Sequence, residues 1–221
     1  MALNLLMLGP PGAGKGTQAE RCAQARGIPR ISTGDILREA VHANTGIGQR
    51  AKAVMDRGEL VGDDVMIGIV RERLERTDAR GGFVLDGFPR TVAQASALDG
   101  IMSHRDPLIV IDIVVPEAEL VRRLGTRMIC DDCGTGAPVG SAVGAACAKC
   151  GGRLVQRADD NQAIVLERLK VYHRQSEALV EYYRVRPTFR SIDGAQPPDR
   201  VAADLAAAIA AAGNGAAGVQ G

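Results

Sequence analysis

The chain has 221 residues, of which 46% are hydrophobic and 24% charged, an ordinary composition for a globular domain with a buried core. The formal net charge of +1 excludes the strongly basic surface that nucleic-acid or membrane binding would favour. The apolar start lacks a basic n-region and is interrupted from Gly9 onwards, and no apolar run approaches the length of a membrane span. We therefore expect no signal peptide, no membrane or nucleic-acid partner, and a cytoplasmic location.

Hydrophobic periodicity predicts strands and helices in alternation along the chain. The predicted strands are residues 3–8, 29–31, 83–85, 108–115 and 189–192. The predicted helices are residues 15–26, 36–43, 47–57, 63–76, 91–98, 117–124, 159–184 and 201–212, followed by a fraying tail from Gly213. Ser32 or Asp35 can cap the second of these helices. The alternation indicates an α/β fold, a three-layer parallel sheet of about five strands with helices on both faces.

Residues 9–17 read GPPGAGKGT and match the phosphate-binding pattern G-x-x-x-x-G-K-[ST], between an apolar strand and a helix. Backbone amides and the positive end of the helix can surround phosphate oxygens there. Lys15 can reach the β- and γ-phosphates, and Thr17 can bind Mg²⁺ directly or through water. The pattern predicts nucleoside triphosphate binding through Gly12, Ala13, Gly14, Lys15, Gly16 and Thr17. The alternative is a glycine-rich turn with a solvated lysine.

The composition changes over residues 130–152, where glycine, alanine and cysteine replace the long apolar residues. The two CxxC pairs of this insert are Cys130 with Cys133 and Cys147 with Cys150. Four thiolates suit tetrahedral Zn²⁺, and metal binding would supply the folding energy that the insert cannot gain by burial. Two disulfides or four free thiols are the alternatives. We interpret Cys22 as an ordinary buried cysteine.

Two further segments indicate which class of nucleotide-binding protein the chain resembles. Residues 31–38 read ISTGDILR, and residues 85–91 read LDGFPRT. Together with the phosphate loop, Gln94, the CxxC pairs and QRADD at 156–160, they make the chain resemble the adenylate kinase family of nucleoside monophosphate kinases, in its bacterial long-lid form with zinc. The resemblance runs from Leu3 to about Gln196. Relative to that family, the segment between the cysteine pairs is shorter and lacks aromatic residues, and one of two arginines before the first cysteine is missing.

The resemblance implies a single kinase domain over residues 1–221 that transfers a phosphoryl group from ATP to AMP, reversibly and with Mg²⁺. The core would comprise residues 1–31, 62–125 and 161–221. Residues 32–61 would bind AMP, and residues 126–160 would form a zinc-binding lid that excludes water. ATP and AMP would be the small-molecule partners, and we expect a monomer. A lid that binds nucleic acid is disfavoured, because the insert has one lysine and few aromatic residues.

The resemblance also implies which side chains contact phosphate. Guanidinium forks can neutralise two phosphate chains that meet end to end, and phosphoryl transfer depends mainly on such positioning and charge stabilisation. The implied catalytic residues are Lys15, Arg90, Arg127, Arg157, Arg168 and Asp86. Asp86 would orient Mg²⁺ through water, with help from Asp35. The alternatives are helix caps or ion pairs for these aspartates, and ion pairs with Asp159 or Asp160 for Arg157 and Arg168.

Base recognition is implied for Thr33, Gln94 and the backbone at Glu59, Leu60 and Val61. A glutamine amide carries a donor and an acceptor that can match the adenine edge. The other implied AMP contacts are Arg38, Gly87, Phe88, Pro89, Arg90, Arg157 and Arg168, and the ATP site would add Arg123, Arg127 and Gln196. Two alternatives stay open: a kinase for another monophosphate such as UMP or CMP, and a nucleotide-binding regulatory module without turnover.

Overall fold

The computed structural model describes residues 2–138, 140–157 and 160–217. The strands are β1 (Leu3–Leu8), β2 (Arg30–Ser32), β3 (Gly82–Asp86), β4 (Leu108–Val114), β5 (Met128–Cys130), β6 (Leu154–Gln156) and β7 (Phe189–Asp193). The helices are α1 (Lys15–Arg26), α2 (Thr33–His42), α3 (Gly46–Met55), α4 (Asp63–Glu75), α5 (Val92–Met102), α6 (Glu117–Gly125), α7 (Gln162–Val171), α8 (Ala178–Arg184) and α9 (Pro198–Ala217). A 3-10 turn at Thr77–Ala79 follows α4, and a π-helical turn at Tyr172–Ser176 joins α7 to α8.

Five strands form one parallel sheet in the order β2-β3-β1-β4-β7. β1 lies at its centre, where Leu5 pairs with Val84 of β3 and with Ile109 of β4. These three strands are almost entirely buried, as continuous apolar sequences predict for a parallel sheet. One apolar core joins the sheet to α1, α6 and α9, and a second joins it to α4, α5 and α8. The predicted α/β fold with helices on both faces is confirmed.

The carboxyl ends of the parallel strands meet at one edge of the sheet. The phosphate loop leaves this edge after β1, and Asp86 stands at the end of β3. Ser32 at the end of β2 lies beside Asp86 in the register of the sheet, and α2 follows it directly. Ligands of open α/β sheets bind at this edge, so the topology brings segments that are distant in sequence to one place.

The start of α2 differs from the prediction. The helix begins at Thr33 rather than Ile36, because Ser32 takes the cap position and its side chain accepts from the Asp35 amide at 3.3 Å. The capping residue is therefore Ser32, and Asp35 lies inside the first turn. A carboxylate in that turn also suits the positive end of the helix.

The long helical segment predicted over residues 159–184 begins later than predicted and is divided in the structure. Residues 158 and 159 lie outside the described part of the chain, and α7 begins at Gln162 with Asn161 as its cap. The π-helical turn then separates α7 from α8, and the apolar periodicity of the sequence does not reveal this widened turn.

The last helix is longer than predicted. α9 continues to Ala217, beyond the predicted end at Ala212, although the added residues include two glycines and an asparagine, which have low helix propensity. Residues 218–221 are not described. Neither α9 nor any other helix in the described residues combines the length and the apolar character that crossing a membrane requires.

The cysteine-rich insert contains an antiparallel pair, β5 and β6, that the sequence did not predict. Each strand has three residues, and Ile129 pairs with Val155 between them. Strands this short carry too little periodicity to be recognised in a glycine-rich segment. The pair nevertheless brings the start and the end of the insert together.

Candidate active site

The phosphate loop, residues 9–17, adopts a backbone that favours glycine at three positions. Gly9, Gly12 and Gly14 have φ of 131°, 86° and 90°, values that residues with a side chain rarely adopt. Lys15 opens α1, and its ammonium group donates to the carbonyl oxygens of the first two loop residues at 2.6 and 2.8 Å. The loop thus curls around one cation at a helix N-terminus, the arrangement that binds phosphate. The predicted phosphate loop is confirmed in its structural context.

The Lys15 ammonium group lies among other charges. Burial lowers its pKa to about 8, Asp86 raises the pKa in part, and Arg90, Arg168 and Arg127 lower it further. Guanidinium groups that lower the pKa of one ammonium group lie near it. The structure therefore brings together four of the five cationic side chains predicted to be catalytic. A polyphosphate placed among them would relieve their mutual repulsion.

Hydrogen bonds to other described residues hold Arg90 in place. Its amide donates to Gln94 Oε1 at 2.8 Å, and its Nε donates to the Gly87 carbonyl oxygen at 2.8 Å. Its own carbonyl oxygen accepts from Ser176 Oγ, also at 2.8 Å, which ties the turn after β3 to the π-helical turn. The guanidinium group is thereby held at the cavities described below.

A buried carboxylate gathers two more of the predicted arginines. Asp160 is 1% exposed and accepts from Arg127 Nε and Nη2, both at 2.6 Å, and from Arg168 Nη1 at 2.9 Å. The ion pair considered as the alternative for Arg168 is thus present, and it extends to Arg127. Because Arg168 still lines both cavities, the pair positions its side chain without removing it from the site. Asp159, the other partner considered, lies outside the described residues.

A first cavity lies at the carboxyl edge of the sheet, between α2 and the turn after β3. Its lining includes ten of the twelve residues predicted to bind AMP: Thr33, Arg38, Glu59, Leu60, Val61, Gly87, Arg90, Gln94, Arg157 and Arg168. Phe88 does not line this cavity, and its side chain is 1% exposed and packs in the apolar core, so a contact with AMP is left to its backbone. Pro89 lines a second cavity, which contains Lys15 and shares Arg90 and Arg168 with the first. The two cavities therefore adjoin at arginine side chains.

The polar side chains of the first cavity are already partly engaged. Thr33 Oγ1 donates to a carbonyl oxygen of the turn after β3 at 2.8 Å. Gln94 is 2% exposed, donates to Asp63 Oδ1 at 2.7 Å and accepts from the Arg90 amide. An amide group has two N–H donors and two lone pairs, so Gln94 keeps one of each for a base. The Glu59 side chain is paired with a neighbouring arginine, which agrees with a role for its backbone alone.

The residues predicted for the ATP site outside the loop lie near one another. Arg123 of α6 donates to the Gly194 carbonyl oxygen at 2.9 Å, and Gln196 follows two residues later. A Cβ atom on Gly194 would lie 2.4 Å from Ile113 Cγ2 and 3.3 Å from the Ala13 carbonyl oxygen. The segment that carries Gln196 therefore packs closely against the phosphate loop, and Arg123 joins it to α6.

Asp86 and Thr17 supply oxygen atoms near the start of α1. Asp86 is 8% exposed, and its Oδ2 would lie 3.4 Å from a Cβ atom placed on Gly16. Thr17 is exposed on the first turn of α1. Carboxylate and hydroxyl oxygens, with water, are the ligands that Mg²⁺ prefers, so these residues fit that ion. Asp86 Oδ2 also accepts from Arg30 Nη2 at 3.0 Å, and the ion pair considered as the alternative for Asp86 is thus present.

The four cysteines of the insert converge on one point. Their Sγ atoms all lie within 4.8 Å of one another, with 3.4 Å between Cys130 and Cys150 and 3.8 Å between Cys133 and Cys147. Sulfur atoms around tetrahedral zinc, with Zn–S distances of about 2.3 Å, are separated by about 3.8 Å. The four thiols can therefore hold one zinc ion, and none of them forms a disulfide. Cys22 is buried, as predicted, in the apolar core that joins the sheet to α1, α6 and α9.

Several residues of the site were not predicted from the sequence. Asp160 was considered only as an alternative ion-pair partner, and Ser176 lies in a π-helical turn that has no sequence signal. Gly194 could have been found, because a lone glycine at the end of a predicted strand indicates a close backbone approach. Arg30 was not predicted, because only the order of the sheet places the strand that it begins beside β3.

The sheet, the phosphate loop at its carboxyl edge and the adjoining arginine-lined cavities define the class of P-loop nucleotide-binding proteins. Within that class, a family model described as "Adenylate kinase" matches residues 7–188. A curated adenylate kinase of Archaeoglobus fulgidus is 48% identical over 94% of this chain and 98% of its own length. Adenylate kinases of a Geobacillus strain and of Moorella thermoacetica are 49% and 51% identical, over 92% and 88% of this chain and 96% and 92% of their lengths. The chain belongs to the adenylate kinase family, and the resemblance read from its motifs is confirmed.

Proposed function

We propose that the chain catalyses the reversible, Mg²⁺-dependent transfer of the terminal phosphoryl group of ATP to AMP, which yields two ADP. One observation carries the proposal: the cavity that holds Lys15 and the cavity that holds Thr33 and Gln94 share Arg90 and Arg168. A phosphate chain bound to the loop that carries Lys15 and a monophosphate bound in the first cavity would therefore meet at these two arginines. Membership of the adenylate kinase family supports the same reaction.

The chemistry requires positioning and charge, and no protein nucleophile. The ATP phosphates bind to the backbone amides of residues 12–17 and to Lys15, while Arg123 and Gln196 lie towards the base. AMP occupies the first cavity, where its phosphate meets Arg38 and Arg90. When bound, Mg²⁺ neutralises phosphate oxygens, and the residues that would hold it are Thr17 and Asp86. Arg127, Arg157 and Arg168 stabilise charge on the transferred group, as fixed guanidinium forks do.

The reaction also needs a site that excludes water, and a lid that closes over the bound nucleotides can provide it. The proposed core is residues 1–31, 62–125 and 161–221, the AMP-binding region is 32–61, and the lid is 126–160. The four cysteines hold structural Zn²⁺ in the lid, and Asp160 at its end holds arginines of the lid and of α7. We propose that the protein acts as a cytoplasmic monomer with ATP and AMP as its partners.

The proposed acceptor is tested by measuring ADP formation from MgATP with AMP, UMP, CMP and GMP in turn. We expect kcat/KM for AMP to exceed that for each other monophosphate by about 100-fold or more, because buried donors and acceptors left unpaired by the wrong base are costly. The same preparation of a Lys15→Met variant controls for contaminating kinases. Faster turnover of UMP or CMP would instead identify a kinase of other base preference, and tight binding of a bisubstrate analogue without ADP formation would indicate a regulatory module.

ATP affinity is expected to fall as the pH rises above 8. Lys15 has a pKa of about 8 in the free protein, mainly because it is buried, whereas adjacent phosphate favours the ammonium form and raises its pKa. Binding above this pH therefore takes up a proton, and the Kd of ATP should increase about tenfold per pH unit until the pKa of the bound state is reached. Calorimetric titration of the protein with ATP between pH of about 7 and about 9.5 measures the slope. Equal slopes in wild type and Lys15→Met would contradict the assignment to Lys15.

A further inference from the structure

Arg30 contacts Asp35 and Asp86, the two aspartates of the site, but has no role in the mechanism proposed for phosphoryl transfer. It begins β2, and its Nη2 is 3.0 Å from Asp86 Oδ2 and 3.0 Å from Asp35 Oδ2. Glu20 of α1 approaches Nη1 at 3.7 Å. The side chain is 23% exposed, and its buried Nε has no hydrogen-bond partner among the described residues. One guanidinium group thus stands among three carboxylates.

The glycine after Lys15 shows how close this cluster comes to the phosphate loop. A Cβ atom on Gly16 would lie 3.2 Å from Arg30 Nη2 and 3.4 Å from Asp86 Oδ2. The guanidinium and the carboxylate therefore both approach the first turn of α1, one residue before Thr17. A metal ion held through Asp86 and the Arg30 guanidinium are consequently alternative counter-charges for the same carboxylate.

Arg30 also joins the two nucleotide sites electrostatically. Arg38 in the first cavity is bonded to Asp35, Arg30 bridges Asp35 to Asp86, and Asp86 acts on Lys15. Burial tends to raise the pKa of Asp35, but the Arg38 and Arg30 guanidinium groups hold that pKa below its ordinary value. Arg30 therefore lies in a continuous chain of charged groups that runs from the first cavity to the phosphate loop.

We propose that Arg30 sets how strongly ATP binding depends on Mg²⁺, by giving Asp86 a resident positive charge in addition to that of the metal. The inference rests on the proposed function only in taking the phosphate loop as the ATP site. With Arg30 present, uncomplexed ATP meets a partly neutralised carboxylate pair. Without Arg30, the two bare aspartates repel uncomplexed ATP, which carries more negative charge than MgATP, and attract the metal more strongly. Both effects widen the gap between the two affinities.

The test compares the Kd of ATP in EDTA with its Kd in excess Mg²⁺, by calorimetry, in wild type and variants. Arg30→Gln should raise the ratio of the Kd in EDTA to the Kd in Mg²⁺ about fivefold or more, because it removes a charge in direct contact with Asp86. Arg21→Gln is the matched control, since it removes an exposed arginine of α1 that pairs with Asp199; its ratio should stay within about twofold of wild type. Arg30→Lys keeps the charge and should also stay within about twofold. Asp35→Asn removes a negative charge and should lower the ratio.

The outcomes separate this role from a structural one. If Arg30 only supports the fold, Arg30→Gln lowers the Tm and weakens both constants equally, so an unchanged ratio overturns the proposal. An equal rise in Arg21→Gln overturns it as well, because the effect would then not be local. Should Arg30→Gln fail to fold, Asp35→Asn decides, and a ratio that does not fall rejects the proposal. If wild type forms no ADP and the ratio changes as stated, the proposed function fails while this inference stands. If wild type forms ADP and the ratio does not change, this inference fails while the proposed function stands.

Discussion

Replacing Lys15 with methionine is expected to lower kcat at saturating MgATP and AMP by about 10²–10³-fold or more, the loss that follows removal of one donor to a developing anion. The ammonium group lies inside the phosphate loop and already donates to two of its carbonyl oxygens. Phosphate would replace these acceptors without moving the loop. Methionine fills the same length but supplies neither the charge nor the donors. A coupled assay of ADP formation measures the effect.

The same variant is expected to fold normally. Burial lowers the pKa of Lys15 to about 8 and nearby arginines add to this, so the folded protein disfavours the charge, and its removal should leave the Tm unchanged or slightly higher. Lys170→Met is the matched control, since that lysine is 73% exposed on α7 and should be replaceable with a change in kcat within about twofold. A correctly folded Lys15→Met protein that retains more than about a tenth of wild-type kcat would remove this lysine from the mechanism.

The elements that carry the phosphate loop could be predicted because their patterns are local. β1 and α1 have the bounds that the sequence indicates, since a short apolar run and an amphipathic helix are separated by glycines. The sheet order itself is not in any local pattern. Alternation of strands and helices predicts a parallel sheet, whereas the order β2-β3-β1-β4-β7, which places the ends of β1, β2 and β3 side by side, comes from the structure.

Contacts between distant segments were the part that sequence could not supply. Asp160 binds Arg127, 33 residues earlier in the chain, through two hydrogen bonds, and only the folded structure brings the ends of the insert together. Phe88 belongs to the same motif as Arg90, yet one side chain enters the core and the other faces the cavities. A motif therefore identified the segment of the site but not the direction of each side chain.

The composition of the insert predicts that its stability depends on a bound metal ion. Its described buried apolar residues are Cys130, Cys147 and Leu154, with Ala137 packed against them. Such a cluster cannot offset the conformational entropy of ordering more than twenty residues, at about 1–2 kcal/mol per residue for the backbone alone. The short β5–β6 pair is also marginal by itself. We therefore expect metal coordination by the four thiols to stabilise this segment.

Replacing Cys150 with serine is accordingly expected to abolish zinc binding and to lower the Tm by about 10 °C or more, while kcat at low temperature falls far less than in Lys15→Met. Cys150 is exposed, so the substitution removes a ligand without opening a cavity in the core. Elemental analysis and calorimetry with and without a chelator measure both effects. Cys22→Ser is the control, because Cys22 lies outside the four-cysteine cluster. This variant should keep one zinc ion per chain and a Tm that the chelator lowers. If Cys150→Ser loses its zinc and melts as wild type does, the lid does not depend on the metal for its structure.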